Sequence, residues 1–400
     1  MTLFQPTLGY ELLSKVSSGS FGHVFKCKLN DQTYACKRLN PAFFCNADFK
    51  CLHEIACLSL LSKISAENLP NMKSFNIKIE DDCYKSWLYM DLYNRDLNDY
   101  GFDIGLNARI EQFDHIYDQL IKAVSTLHSL GIVHCDIKNQ NILVKLGSKL
   151  PNIYLVDFSI SSSMPTNEGY TYGYRAPYLD YEISDKKRKC VESLVASYES
   201  DIYALGMTFV SFINQVVYYP ESYTYPGINI SNEIKRNEII LHGFPEKLKL
   251  IQKMLNSDLD LPNYRSDIKF DLSKFRMDPS NIVKYDIETI VDTLKLDCSQ
   301  EDIDHAVDIS TRYLALEKSF QTTSDTNNNI INKKDVFMGS LYIIATWGNT
   351  TMITQIYKCY QNTYNDFMKK VLDIVIKLDG LVYIPLIKQS IKQIKIEKSI

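Results

Sequence analysis

The rhythm of apolar and polar positions changes as the chain proceeds. In Tyr34-Ala35-Cys36-Lys37-Arg38-Leu39 the two kinds alternate, which predicts a strand with Ala35 and Lys37 on one face. From Leu52 the period lengthens. Leu58 and Leu61 follow Glu54 at i+4 and i+7, so a helix here turns Glu54 toward the core. Over residues 114–130 the stripe Ile116, Leu120, Ala123, Leu127 predicts another helix, with Asp114 as N-cap and Gly131 as its stop. Tyr154-Leu155-Val156 reads as a short apolar strand that ends on Asp157, and Leu250 to Arg265 is helical again. The last third carries five helical patterns, at 281–295, 301–318, 335–347, 352–361 and 364–379. Ile287, Ile290 and Leu294 form one stripe; Phe367, Val371, Ile374 and Leu378 form another. The polar stretch from Thr322 to Lys334 predicts a loop among them, and Pro385 ends the series.

Composition narrows the picture. At 400 residues the chain has material for two or three domains, and 45% apolar with 23% charged residues is globular usage. A net charge of −4 gives no general attraction to nucleic acid or to an anionic membrane. No run is long and apolar enough to span a bilayer. The ten cysteines are scattered, with no CxxC and no Cys/His cluster, which argues against a zinc site. An even count permits disulfides, but no secretory segment supports them, so reduced thiols in an intracellular protein, cytoplasmic or nuclear, are expected. The abundance of Ile, Lys, Asn and Tyr suggests an AT-rich genome such as that of a large DNA virus or a parasite; a viral protein would act in the host cell.

The densest chemistry is His134-Cys135-Asp136-Ile137-Lys138-Asn139-Gln140-Asn141. An Asp, a Lys two residues on and an Asn five residues on suit phosphoryl transfer: a base for the attacking hydroxyl, a cation for the γ-phosphate and an oxygen ligand for Mg²⁺. Asp157 supplies a second metal ligand. Either run alone could be an ordinary turn; together and in order they point to ATP chemistry. Upstream, Gly19 and Gly22 stand three apart between strand residues and permit close approach to phosphates, although a plain Gly-bearing hairpin is at least as good a reading. Lys37, facing inward on its strand, requires an anion unless it lies at a solvated edge. Glu54 on a core face is costly unless paired, and Lys37 is its natural partner.

These residues, in this order, resemble the eukaryotic protein kinases over roughly residues 8–265. Thr171-Tyr172-Gly173-Tyr174-Arg175-Ala176-Pro177 is similar to the end of the family's activation segment, and Asp201-Ile202-Tyr203-Ala204-Leu205-Gly206 to the start of its buried central helix. The resemblance implies an α+β, bilobal protein-kinase fold: a β-rich N-lobe and hinge at 1–97, a helical C-lobe at 98–270, then an all-α domain at 271–400. It implies Asp136, Lys138, Lys37 and Glu54 as catalytic residues, and Asn141 and Asp157 as Mg²⁺ ligands. ATP would be held by Gly19, Gly22, Val24, Ala35, Lys37, Met90, Asp91 and Tyr93, with a protein serine or threonine as the other substrate. The run Met90-Asp91-Leu92-Tyr93-Asn94-Arg95-Asp96-Leu97 resembles the hinge of the cyclin-dependent group, with Met90 as gatekeeper.

The departures matter too. Cys135, His53 and Ser162 stand where the family carries basic residues that clamp a phosphothreonine, so phosphate-triggered ordering is not expected. Ser159 replaces the Gly after Asp-Phe, and Tyr178 replaces a Glu that pairs with an Arg, here Arg265. Residues 279–386 resemble one cyclin box, through Ala306–Leu314 and Gly339–Trp347. Its kinase-contacting Lys falls at Trp347 and the partner Glu near Val371, so an apolar contact would replace an ionic one. That resemblance implies an activator joined in cis, at high effective concentration. The competing reading is a catalytically weak kinase-fold scaffold that binds partners through its helical C-terminus.

Overall fold

The computed structural model describes residues 9–19, 22–43, 50–80, 83–147, 150–161, 174, 197–215, 230–256, 259–262, 294, 296–321, 333–346, 350–361, 363–380 and 382. In chain order the first elements are β1 (Glu11–Gly19), β2 (Gly22–Leu29), β3 (Gln32–Leu39), β4 (Ala42–Phe43), α1 (Lys50–Lys63), β5 (Met72–Glu80) and β6 (Cys83–Asp91). Next come β7 (Arg95–Asp96), α2 (Leu97–Glu111), α3 (Phe113–Ser129), β8 (Ile142–Lys145), β9 (Asn152–Leu155), α4 (Tyr198–Asn214), α5 (Ile230–Ile240) and α6 (Pro245–Leu255). After them lie α7 (Gln300–Gln321), α8 (Lys333–Ala345), α9 (Thr350–Cys359) and α10 (Tyr364–Lys377). The chain divides into two units. One holds Met1–Ile64, Asn71–Asp91 and Lys269–Ile400; the other holds Ser65–Pro70 and Leu92–Ile268.

The first unit is built on an antiparallel sheet in the order β1-β2-β3-β6, with β4 and β5 both paired to β6. Register sorts its residues by face. Lys37 stands opposite Val24 on β2 and Leu88 on β6, and Ala35 stands opposite Met90. Val24, Ala35, Lys37 and Met90 therefore share a face, as the alternation predicts. The other face buries Tyr10, Cys27, Cys36, Trp87 and Tyr89, with the Tyr10 and Tyr89 rings stacked at 3.9 Å. The same unit contains α7–α10. Four of the five expected C-terminal helices are present; α7 runs on to Gln321, where the predicted loop begins, and α8 starts at Lys333, taking up the loop's last two residues. The fifth, at 281–295, lies outside the described residues except for Leu294. Val336, Leu341, Tyr342, Met352, Ile356, Phe367, Val371 and Ile374 are buried, and Ser310 bonds Ser340 across α7 and α8 at 2.9 Å. Trp347 lies outside the described residues.

The second unit surrounds α4, which is buried from Ser200 to Asn214. A helix apolar on every side needs cover on every side, and α2, α5 and α6 pack against it. Ser197 and Ser200 cap its start reciprocally. The helix predicted at 114–130 is α3, but Asp114 is not its cap. The helix begins at Phe113 with Gln112 as N-cap, because the buried Phe113 ring packs on Phe209 at 4.6 Å; Asp114 instead bonds Lys247 at 2.5 Å. Gly131 does stop the helix, at φ 76° with its N–H on the His128 carbonyl. Beyond α6 the chain from 263 to 293 lies outside the described residues, Arg265 included, and so do Ser162, Thr171 and Tyr178. Among the described residues no helix is long and apolar enough to cross a membrane.

Candidate active site

In the second unit a short loop gathers the predicted chemistry. Lys138 Nζ donates to Asp136 Oδ2 at 2.7 Å, and Asn141 Nδ2 donates to the same oxygen at 2.8 Å and to the Asp136 carbonyl at 2.8 Å. Asp136 is thus oriented by two donors from its own loop. With its amide nitrogen committed to Asp136, Asn141 turns its carbonyl oxygen the other way, as a hard donor for a cation. The loop leads into β8, which pairs with β9, and the Val156 N–H bonds the Asn141 carbonyl at 2.9 Å, so Asp157 follows directly.

Two residues bracket the loop in left-handed backbone: Cys135 at φ 68° and Asp157 at φ 70°. Neither is Gly or Asn, so each costs about 1–3 kcal/mol and needs support from its surroundings. For Cys135 that support is Asp201, in the first turn of α4. Its carboxylate accepts from the His134 N–H at 2.7 Å, the Cys135 N–H at 3.0 Å and His128 Nε2 at 3.0 Å. For Asp157 it includes the Ser159 hydroxyl, which donates to Asp157 Oδ1 at 2.8 Å. His134 bonds the Val156 carbonyl through Nε2 at 3.1 Å and receives the Asp136 N–H on Nδ1 at 3.2 Å. That pattern requires a neutral ring, and burial holds its pKa below the ordinary value despite the acids nearby.

The first unit supplies the other predicted pair. Lys37 Nζ meets Glu54 Oε1 at 2.6 Å, with side chains 14% and 2% exposed. The inward strand lysine therefore has the predicted anion, and the solvated-edge alternative does not hold. Gly22 closes on β3 so tightly that a Cβ would lie 2.2 Å from the Arg38 carbonyl oxygen; its glycine is demanded by the sheet itself. Around Gly19 a Cβ would meet nothing within 4 Å. Met90 is buried opposite Ala35, and Asp91 pairs with Lys73 at 3.1 Å; Tyr93 belongs to the second unit, where its ring lies 4.7 Å from that of Tyr154.

Neither Asp201 nor His134 stands out in the sequence as a site residue. The available signal was an acid opening the otherwise apolar run Ile202–Ile213, which must have partners. In the sequence His53 marks only a missing clamp. Its ring is buried, donates to the Thr346 backbone carbonyl and is held by desolvation at a pKa of about 3.

Among the described residues no group of three or more His, Cys, Asp or Glu is placed to hold a metal. Mg²⁺ does not need one, since it is usually bound by one or two carboxylates together with substrate phosphates. Asn141 and Asp157 fit that pattern as hard-oxygen donors.

The protein kinase domain family matches residues 10–264. An Acanthamoeba polyphaga mimivirus protein described as a serine/threonine-protein kinase is 28% identical over 224 residues, covering 52% of this chain and 75% of the relative. The Saccharomyces cerevisiae serine/threonine-protein kinase ISR1 is 31% identical over 176 residues, covering 40% of this chain and 37% of the relative. An Encephalitozoon cuniculi protein described as a cell division protein kinase is 30% identical over 178 residues, covering 42% and 53%. With the loop around Asp136, the Lys37–Glu54 pair and this match over more than half its length, the chain belongs to the protein kinase family.

Proposed function

We propose that the protein is an ATP-dependent serine/threonine kinase in which Asp136 accepts the proton of the attacking hydroxyl. The observation that supports this most directly is the double hold on Asp136 by Lys138 and Asn141, which fixes the orientation of its carboxylate. Lys138 would steady the γ-phosphate from the same position. Lys37, fixed by Glu54, would carry the α- and β-phosphates. The apolar face formed by Val24, Ala35 and Met90, with the backbone of Asp91 and Tyr93, would hold adenine; Gly19 has the open space that a phosphate needs. Kinases of this family use ATP and typically Mg²⁺, which when bound neutralises phosphate charge; Asn141 and Asp157 would be its ligands. Lys138 and the sequence choice of Thr171 favour serine and threonine over tyrosine.

The finer proposal concerns residues 271–400, taken as a cyclin-like activator in cis of a kinase formed by 1–97 and 98–270. Its support is that Lys269–Ile400 shares a unit with the sheet and α1 rather than forming a body of its own, and that helices lie at four of the five expected places. Transfer of labelled γ-phosphate to a panel of proteins, with Asp157→Ala as control, tests the kinase reading. Transfer that persists undiminished in the control, or none by the wild type, overturns it; the second result would favour the scaffold reading.

A further inference from the structure

Helix α1 has no free face. From Leu52 to Leu61 no residue is more than 6% exposed, and ten residues cover nearly three full turns. Its sequence explains this: Leu52, Ile55, Ala56, Cys57, Leu58, Leu60 and Leu61 are spread around the axis and cannot all face one sheet. Strand β5 packs on one side. The remaining cover includes the far C-terminal part of the same chain, at two places.

At the first, the His53 ring donates to the carbonyl of Thr346, at the end of α8. At the second, the turn that closes α10 lies directly on α1. Asp379 and Gly380 there are left-handed, at φ 51° and 69°, and the Gly380 N–H bonds the Val375 carbonyl at 2.9 Å. The backbone approaches so closely that a Cβ on Gly380 would stand 2.2 Å from Ser59 Oγ and 2.8 Å from Ile55 Cγ2. Lys63, one turn further, meets Asp379 at 3.1 Å. Helical geometry gives these contacts a direction. At about 100° per residue, Ser59 lies about 140° round the axis from Glu54, and Lys63 about 180°. The α10 turn therefore bears on the side of α1 opposite Glu54, whose carboxylate reaches Lys37 on the sheet.

We propose that the Asp379-Gly380 turn is a built-in backstop for α1, holding Glu54 on Lys37 from behind. The physical requirement is that the turn and the paired state of α1 favour each other, and the close fit at Gly380 supplies that coupling. The kinase is then active without a partner on α1. This rests on the kinase reading above for its catalytic consequence, but the packing itself does not.

The test uses the full-length chain. Gly380→Ala places a methyl where Ser59 and Ile55 stand, in a left-handed backbone. The expected result is a fall in kcat on the order of 10-fold, within the usual range for coupled sites, with faster amide exchange across Leu52–Leu61. Adding Ser59→Gly, which removes the nearer obstruction, restores part of both. In the wild type, a zero-length carbodiimide cross-link between Lys63 and Asp379 is expected, which reports the docking even if Gly380→Ala does not fold. A wild-type kinase whose Gly380→Ala variant keeps full kcat and unchanged α1 exchange overturns the backstop, as does a wild type with no such cross-link and unprotected α1 amides. A chain that shows the cross-link and the exchange response but transfers no phosphate leaves the backstop standing and overturns the kinase reading.

Discussion

Asp136 and Glu54 are both buried carboxylates paired with a lysine, at 2.7 and 2.6 Å, yet their supports come from different distances along the chain. Asp136 is oriented by Lys138, Asn141 and His134, all within five residues, and Asp201 reaches in from afar to steady the backbone. Glu54 takes its partner from a strand 17 residues earlier and its backing from the α10 turn, where Lys63 and Asp379 are 316 residues apart. Closing the short loop costs little chain entropy; the long closure must be repaid by the whole packed unit. The contrast teaches where function is coupled to folding. Loosening the Asp136 loop changes chemistry, whereas loosening the Glu54 pair also opens a hydrophobic core.

The largest expected effect breaks the first half of the comparison. Asp136→Asn keeps the shape of the loop and removes the base. Turnover should fall by about 10²–10⁴, the usual contribution of a positioned base, while nucleotide affinity and melting temperature change little. Steady-state kinetics and nucleotide titration check this. Turnover close to wild type would remove Asp136 from its assigned role.

The second effect is on stability. Lys37→Met leaves Glu54 buried without its cation, and breaking such a pair costs about 3–5 kcal/mol. The variant should lose both activity and several kilocalories of denaturant stability. Lys37→Met with Glu54→Leu should recover most of the stability and none of the activity, because an apolar pair can replace a buried ion pair in packing but not in phosphate binding. If the double variant is no more stable than the single one, the pair is not buried as described.

These two regions also show what could be read from the sequence. The Asp136 loop was legible because Asp, Lys and Asn sit within six residues and meet where they stand. The Lys37–Glu54 pair was legible because a strand alternation and a helix stripe each turned a charge inward. Asp201 was only half legible: its place at the head of an apolar helix was clear, but its three donors come from residues 128, 134 and 135. Asp114 does not open α3 because capping preference is a weak prior beside the burial of Phe113. Nothing local in His53 or Gly380 announces their contacts, since each depends on a partner hundreds of residues away.

A smaller effect separates the regions by pH. His53 in the first unit and His134 in the second are both held below the ordinary histidine pKa by burial. The unfolded chain therefore binds their protons first. Stability should be full above about pH 6.5 and decline as pH falls below it, for His53 continuing toward about 3. Each ring can contribute a slope of up to about 1.4 kcal/mol per pH unit. His53→Gln can still donate to the Thr346 carbonyl but cannot titrate, so denaturant melts between pH 7.5 and 5 should show a shallower slope. An unchanged slope would mean that the His53 ring is not buried neutral.

The smallest expected effect is none, and it bears on both regions at once. A phosphate on the activation segment orders a kinase by drawing basic residues from the catalytic loop and from α1 onto itself. Here the catalytic-loop position is Cys135, 2% exposed, packed with Val133 and Ile160 and unable to carry a positive charge. The α1 position is His53, whose ring is neutral and already bonded to Thr346. The third position is Ser162, also uncharged. A phosphate would find no cation at any of the three, while the tasks it performs elsewhere are met by other means: Asp201 holds the loop, and the α10 turn backs α1. Enzyme treated with phosphatase until mass spectrometry shows no phosphate should keep its kcat. A large loss would mean that some other cation receives a phosphate, and that neither Asp201 nor the α10 turn is sufficient to hold its region in place.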